Sequence, residues 1–593
     1  MNETGSLNLD ASFNLGDWLV EPRRNTISQN GKEQHLENRL MQTLLFLAKN
    51  SGQIVSREQF FDTVWQGLVV NEEALSRAIS LLRTALVDNA HRPKFIQTVP
   101  GVGYRLIAEV TTNAGQPGRL STPVVTQGNS IAVLPFINLS DDPGNEYFSE
   151  GISEEILNAL TQVESFDVVG RTSSFAFKDR NEDLRKIGKA LGVTHVLEGS
   201  VRKAGDQVRI TAQLIKTDDG FHLWSETFDH KLEDIFAIQD QIAEAVTMQL
   251  KLALLTPPAK TTKANPEAYS LYLQARYLER QSTSKSNKQA LSLIQQALSI
   301  APEYPEAWYR LASIYRNMTA KANLTPVDGS RLAREAAKQA LVYNPDYAPA
   351  YALLGWLDSH FEPDLASAAK HFQRALALAP TDLEIISSAA SLARSLGRLN
   401  AAIALREYTT ARDPVNPANH TFLGFCYRCA GRFDEAIASY RIALRLSPGI
   451  MSAQYNIGAS RMLQGRPQEA LAETLQEEVE GYRVMGLAPI YHDLGMTAES
   501  DEAMAVMIEK YAAEGAYNIA FMFAYRGEND LAFEWLEKAL QGKDAGLTQI
   551  NSEPIIANLY SDSRWEPFMQ RIGMSDAQLA AIAFEVKIPT LLK

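Results

Sequence analysis

Glu72–Val110 reads EEALSRAISLLRTALVDNAHRPKFIQTVPGVGYRLIAEV, and its hydrophobic period changes partway along. From Glu72 to Leu86 the apolar residues Leu75, Ile79, Leu82 and Leu86 recur at helical spacing and make one buried stripe. The opposite face of that helix offers Arg77, Ser80, Arg83 and Thr84. A basic turn containing His91, Arg92 and Lys94 follows. Beyond it, Phe95–Val110 reads as two short strands around Pro100–Gly103, where glycines allow a tight hairpin. A helix with a hairpin beside it has the shape to enter a DNA major groove while gripping the backbone next to it.

Working back from this stretch, LENRLMQTLLFLAKNSGQIVSREQFFDTVWQG (Leu36–Gly67) supplies two amphipathic helices joined by a short extended piece. Three ordered stretches, IVSREQFFDTVW, ISLLRTAL and IQTVPGVGYRL, resemble the OmpR/PhoB-type effector domain across Phe13–Ile107. The resemblance implies a winged helix-turn-helix with a leading antiparallel sheet from Phe13–Leu36. It implies Arg77, Ser80 and Arg83 on the recognition helix and Thr98, Tyr104 and Arg105 in the wing, where the family's Thr and Tyr meet phosphates. It also implies a loop over Gln66–Asn71, here Leu68, Val69, Val70 and Asn71, that meets RNA polymerase. Trp65 and Tyr104 are expected in the core. Two departures weaken the nonspecific grip: Ser80 and Leu81 stand where relatives carry arginines, and Pro100 stands at the wing arginine. From Met1 to Val110 there are 11 Lys and Arg against 12 Asp and Glu, so affinity for any duplex should be modest and a homodimer on paired half-sites is expected.

Working forward, Thr111–Ser130 is polar and aperiodic, which reads as a linker over 111–129 after a DNA-binding section at 10–110. Over 130–255, β-rich runs alternate with amphipathic helices, an α/β pattern. The runs IAVLPFINLSDDPGNEYFSEGISEEI, VVGRTSSFAFK, LGVTHVLEGSVRKAGDQVRITAQLI and HLWSETFDHKLEDIFAIQDQIA resemble the TolB amino-terminal-like domain. After a second break at Thr256–Pro266 the chain is helical over 266–593, and it repeats. Pro380, Pro414 and Pro448 are in phase, as are Gly397, Gly431 and Gly465, at the 34-residue period of tetratricopeptide helix pairs. FLGFCYRCAGRFDEAIASYRIALRLSP (Phe422–Pro448) is the best-formed copy. Extra residues near Asn323–Gly329 break the period once, and beyond Tyr482 the register blurs, although Gly527–Leu540 reads as another second helix. The expected architecture is thus multidomain: an α+β winged helix, an α/β TolB-like domain and an all-α superhelix.

Bulk properties and side-chain constellations then narrow the chemistry. A net charge of −13 over 593 residues excludes whole-surface binding to nucleic acid or anionic membrane. Two cysteines give no disulfide framework, and Cys426-x-x-Cys429, inside a repeat helix, reads as packing rather than half a zinc site. No signal-peptide pattern or long apolar run occurs, so a cytoplasmic setting without membrane contact is expected. GISEE lacks the second glycine of a nucleophile elbow, GVGYR lacks a phosphate loop's lysine, and His195, His222 and His230 lack metal-ligand spacing. Asp141 and Asp142 precede Pro143 in a turn. No catalysis, metal or cofactor is expected. The leading function is a sequence-specific, one-component transcription regulator on promoter DNA, with a protein or peptide partner on the repeat superhelix. The alternative is an interaction scaffold whose winged helix has become a docking module.

Overall fold

The computed structural model describes residues 13–16, 18–22, 26–29, 32–36, 38–64, 72–89, 93–99, 102–108, 110–112, 130–161, 163, 166–180, 182–232, 235–249, 265–361, 364–513 and 515–586. It divides into two compact units, Met1–Leu120 and Ser121–Lys593.

In the first unit, β1 (Phe13–Leu15), β2 (Trp18–Glu21), β3 (Thr26–Gln29) and β4 (Lys32–His35) form an antiparallel sheet. A late strand, β8 (Val110–Thr112), returns to pair with β1, so Thr111 and Thr112 belong to this sheet. Between them lie α1 (Asn38–Lys49), β5 (Ile54–Ser56), α2 (Arg57–Val64), α3 (Glu72–Ala85), β6 (Ile96–Val99) and β7 (Gly103–Leu106). β5, β7 and β6 make a second antiparallel sheet in that order. One core joins everything: Phe13, Leu15 and Ile27 from the first sheet, Leu44 and Leu47 from α1, Phe60 from α2, and Leu75, Ile79 and Leu82 from α3. The alternation read in the sequence is what lets each short element bury one side.

The second unit begins with a mixed sheet in the order β11-β9-β12-β13-β14, from β9 (Ser130–Val133), β10 (Ile137–Asn138), β11 (Asp167–Val168), β12 (His195–Ala204), β13 (Gln207–Lys216) and β14 (His222–Lys231), with β10 also on β12. β9 runs parallel to β11 and β12, whereas β12, β13 and β14 form an antiparallel meander. Both faces of its centre are buried. Ile131, Val133 and Leu197 pack with α4 (Glu146–Thr161) and α7 (Ile235–Gln249). Ala132 and Val196, one residue along, face α6 (Leu184–Leu191), and α5 (Arg171–Phe175) precedes it. Asp142 accepts the Gly144 N–H at 2.8 Å, a turn role, and His195 is buried against Thr194.

Helix pairs then run to Gln541: α8 (Pro266–Arg280) with α9 (Ser284–Ile300), α10 (Pro305–Ala320) with α11 (Pro326–Tyr343), α12 (Ala348–His360) with α13 (Leu365–Leu378), α14 (Leu383–Ser395) with α15 (Leu399–Arg412), and α16 (Pro417–Cys429) with α17 (Phe433–Leu446). Three more pairs follow, ending with Ala516–Tyr525 and Asn529–Gln541, so pairing continues past the point where the sequence period fades. The in-phase glycines are the turns inside pairs: Gly397, Gly431 and Gly465 all sit at φ +72° to +74°. Gly424 packs under Tyr440, where an added Cβ would lie 2.9 Å from the ring. First helices of neighbouring pairs touch one another, α10 on α12 and α12 on α14, which makes them the inner wall of a superhelix.

The mixed-sheet domain is fused to the repeats. Glu154 on α4 meets Arg171 at 3.0 Å, Arg276 at 3.7 Å and Arg280. Burial alone would raise its carboxyl, but Arg276, Arg280 and Arg171 together hold it well below the usual carboxylate range. A second seam lies at α15–α16, where Gly170 N–H donates to Arg412 O at 2.7 Å and Ser173 N–H to Asp413 at 2.7 Å. The far end of the chain folds back. The 3-10 segment Ala545–Ser552 lies against α12, α14 and the Ala516–Tyr525 helix, all on the inner wall.

Candidate nucleic-acid interface

α3 is held by Leu75, Ala78, Ile79, Leu82 and Ala85, all buried in the first unit's core. This stripe turns Arg77, Ser80 and Thr84 outward, and all three are exposed. Leu81, 43% exposed, joins them on the open side. Thr84 Oγ1 donates back to Ser80 O at 3.0 Å, so its hydroxyl is engaged along the helix. Arg77 forms no ion pair among the described residues.

Arg83 is placed differently. Its Nη2 donates to Ile96 O at 2.7 Å and to Thr98 Oγ1 at 2.9 Å, both on β6. The side chain therefore ties the helix to the hairpin, and it brings together two residues that the sequence reading treats as separate DNA contacts. Tyr104 is 6% exposed, its ring edge-on to Phe60 at 6.2 Å, so it serves the core. Arg105 on β7 is half-buried, with its Nε unpartnered among the described residues. Gly103 is fixed by sterics, since an added Cβ would lie 2.0 Å from Val55 O on the neighbouring strand.

Asp88, which sequence reasoning passed over, organises the basic turn. Its Oδ1 accepts the Asn89 and Lys94 N–H groups at 3.0 and 2.6 Å, and its Oδ2 accepts the Ile96 N–H at 2.8 Å. The Lys94 side chain is left exposed. An aspartate just past a helix end and ahead of a strand was the available signal. Trp65, Leu68, Val69, Val70, Asn71, Arg92 and Pro100 lie outside the described residues.

Elsewhere no group of three or more His, Cys, Asp or Glu among the described residues could hold a metal ion. No described helix is long and apolar enough to cross a membrane. Cys426 and Cys429 are unbridged, and burial pushes both thiols up, Cys429 to about 12.

An exposed polar helix face braced against a β-hairpin defines a winged-helix module of the transcription-regulator class. Residues 31–106 match the family described as "Transcriptional regulatory protein, C terminal", residues 127–245 match "HilA/YgeH-like transcriptional regulator, second domain", and residues 387–449 and 427–483 match "Tetratricopeptide repeat". Among individual proteins, the chain is 41% identical over 189 residues to "Putative adenylate cyclase 3" of Rhizobium meliloti (strain 1021), which is 31% of this chain and 32% of that one. It is 40% identical over 113 residues to the transcriptional activator CadC of Escherichia coli (strain K12), 18% and 22% of the two chains. To the transcriptional regulator HilA of Salmonella paratyphi A it is 25% identical over 474 residues, 75% and 79% of the two. The chain thus spans about a third and a fifth of the first two relatives and most of the third.

Proposed function

We propose that this chain is a one-component transcription regulator that binds promoter DNA sequence-specifically through α3 and the β6–β7 hairpin. The observation that carries the reading is the exposed row Arg77, Ser80, Thr84 on a helix braced to a hairpin. Arg77 reads a base edge, Ser80 and Thr84 border it, and Leu81 meets a thymine methyl. Arg92, Lys94, Thr98 and Arg105 grip phosphates, with Arg83 holding the hairpin in place. With 11 Lys and Arg against 12 Asp and Glu over Met1–Val110, the module works as a homodimer in the cytoplasm, and Leu68–Asn71 reaches RNA polymerase. The middle domain is TolB amino-terminal-like and, with the repeats, receives a signal and holds a protein partner without catalysis or cofactor. The names of HilA and CadC support a regulator.

Chromatin precipitation followed by gel shifts on the recovered promoters tests this. Arg77→Ala is expected to lose about 1–3 kcal/mol of discrimination between cognate and scrambled sites. Absence of promoter peaks, or unchanged discrimination, would sink the reading in favour of a docking module.

A further inference from the structure

The mixed sheet of the second unit ends in two unlike edges. At one, β11 is two residues long, and the chain just beyond it is taken up by the repeats, where Gly170 N–H donates to Arg412 O at 2.7 Å. At the other, β14 runs for ten residues without proline or glycine, and no described strand lies beyond it. Its pairing with β13 fixes which backbone groups point where. Leu232 N–H donates to Asp206 O at 2.7 Å, so the hydrogen-bonded pairs continue as Val208↔His230, Ile210↔Phe228, Ala212↔Glu226 and Leu214↔Trp224. Ser225, Thr227 and Asp229, which lie between them, therefore turn their N–H and C=O groups toward the open edge.

The side chains leave this edge accessible. On one face α7 packs against β14, with Phe228 and Ile242 in a common core. On the other face Leu223, Ser225, Thr227 and Asp229 are exposed. Asp229 is drawn inward by Arg209 Nε at 2.6 Å, and Thr227 by the Thr211 hydroxyl at 3.2 Å, both on β13. A long open edge is a template for another strand. The strand's own sequence, HLWSETFDHK followed by Leu232, says which strand fits. Laid antiparallel on a second copy of itself, it must oppose residues of the same face, so a two-fold axis passes through one residue. Among the registers that overlap nearly the whole strand, an axis at Glu226 sets that carboxylate against its own copy. An axis at Thr227 sets Glu226 against Phe228. An axis at Phe228 sets Glu226 against His230 twice and Trp224 against Leu232 twice, with Thr227 and Asp229 exchanging backbone bonds. In that register Glu226 and His230 occupy a non-hydrogen-bonded site, where side chains lie closest, and no like charges oppose each other.

We propose that β14 pairs antiparallel with β14 of a second copy of this chain, in the register centred on Phe228, joining two mixed sheets into one. The inference rests on the homodimer reading above and names the surface that forms the dimer. A second copy is favoured over a foreign extended peptide because the strand is its own complement: the His230 ring N–H reaches the partner copy's Glu226 carboxylate at both ends of the pairing, and the outward backbone groups of Thr227 and Asp229 match in register.

Sedimentation velocity of the full chain, without DNA, tests this and should show a dimer that dissociates on dilution. Thr227→Pro removes an outward N–H that β13 does not use, and proline is tolerated on the open side of an edge strand. The melting curve should therefore hold while dimerisation weakens at least about tenfold. E226K alone takes the acceptor from His230, and H230E alone sets two carboxylates face to face, so each should weaken the dimer. E226K/H230E restores an opposite-charge pair and should recover it. This exchange of charges decides the matter even if the proline variant fails to fold. A chain that stays monomeric, a dimer that T227P and both single changes leave intact, or a double variant no tighter than the singles overturns the proposal. Gel shifts on the recovered promoters separate it from the regulator reading. Promoter binding by a chain whose β14 does not pair ends the edge assignment alone, whereas a β14 dimer that shifts no promoter upholds the edge and ends the regulator.

Discussion

From α3 the side chains of Arg77 and Arg83 leave one helix toward different destinations, one into open space and one onto β6. Their substitutions should therefore separate. Arg83→Ala removes two charge-assisted bonds from a half-buried position and is expected to cost the first unit about 1–2 kcal/mol, seen as a lower melting temperature. Because the hairpin loses its brace, affinity should drop for cognate and scrambled DNA alike, whereas Arg77→Ala should spare stability. Equal thermal effects of the two would refute the division. The amphipathic period of α3 made the helix and its outward face legible, since periodicity reports which side is buried. It could not separate Arg77 from Arg83, because the acceptor Ile96 O is a backbone group that comes close only when the hairpin folds back. Asp88 was hidden for the same reason: its three acceptor bonds go to backbone N–H groups.

Among whole elements, α10 carries an acid that burial shifts strongly upward. Burial, with Glu155 nearby, pushes the Glu306 carboxyl up to about 7, and its Oε2 lacks a partner among the described residues. The folded pKa lies above the unfolded value of about 4.3, so the folded state holds the extra proton between them. Stability is then full below about pH 4.3, declines as pH rises toward 7, and is flat above. Glu306→Gln should stabilise the second unit at pH 8, by at most about 4 kcal/mol and seen as a higher melting temperature, and leave it nearly unchanged at pH 4. An equal gain at both values would show that burial of the charge is not the cause. The helix pairs themselves were readable, because proline and glycine recur wherever a turn must start or stop. The pairs beyond Tyr482 were not, since their turn glycines, Gly495 and Gly527 at φ +72° and +77°, fall out of step with the earlier spacing. The α/β alternation of the middle section was legible too, but the fusion of that sheet to α8 through Glu154 was not, because ion pairs between distant segments leave no local pattern.

For the molecule as a whole, the return of Ala545–Ser552 along the inner wall, with Ile582 and Phe584 closing on Arg398, is the feature that local reading had least access to. Arg398 donates to the Ile582 and Phe584 carbonyls, Asn551 to Ser395 O at 2.9 Å, and Glu553 satisfies Arg428. Deleting 545–593 leaves the buried Arg428 unanswered and is expected to destabilise the second unit by about 3–5 kcal/mol from that pair alone. Calorimetry should show only the second unit's transition shifting, with the winged-helix transition unmoved, as two separate compact units require. A deletion that moves neither would mean the clasp bears no weight. The same clasp has a consequence for synthesis. Arg428 leaves the ribosome 125 residues ahead of Glu553, which at 5–20 residues per second is a delay of roughly 6–25 s. During that interval the newborn chain presents an open cationic trough that its own later segment will close, so premature termination should mark a molecule for chaperones and proteases.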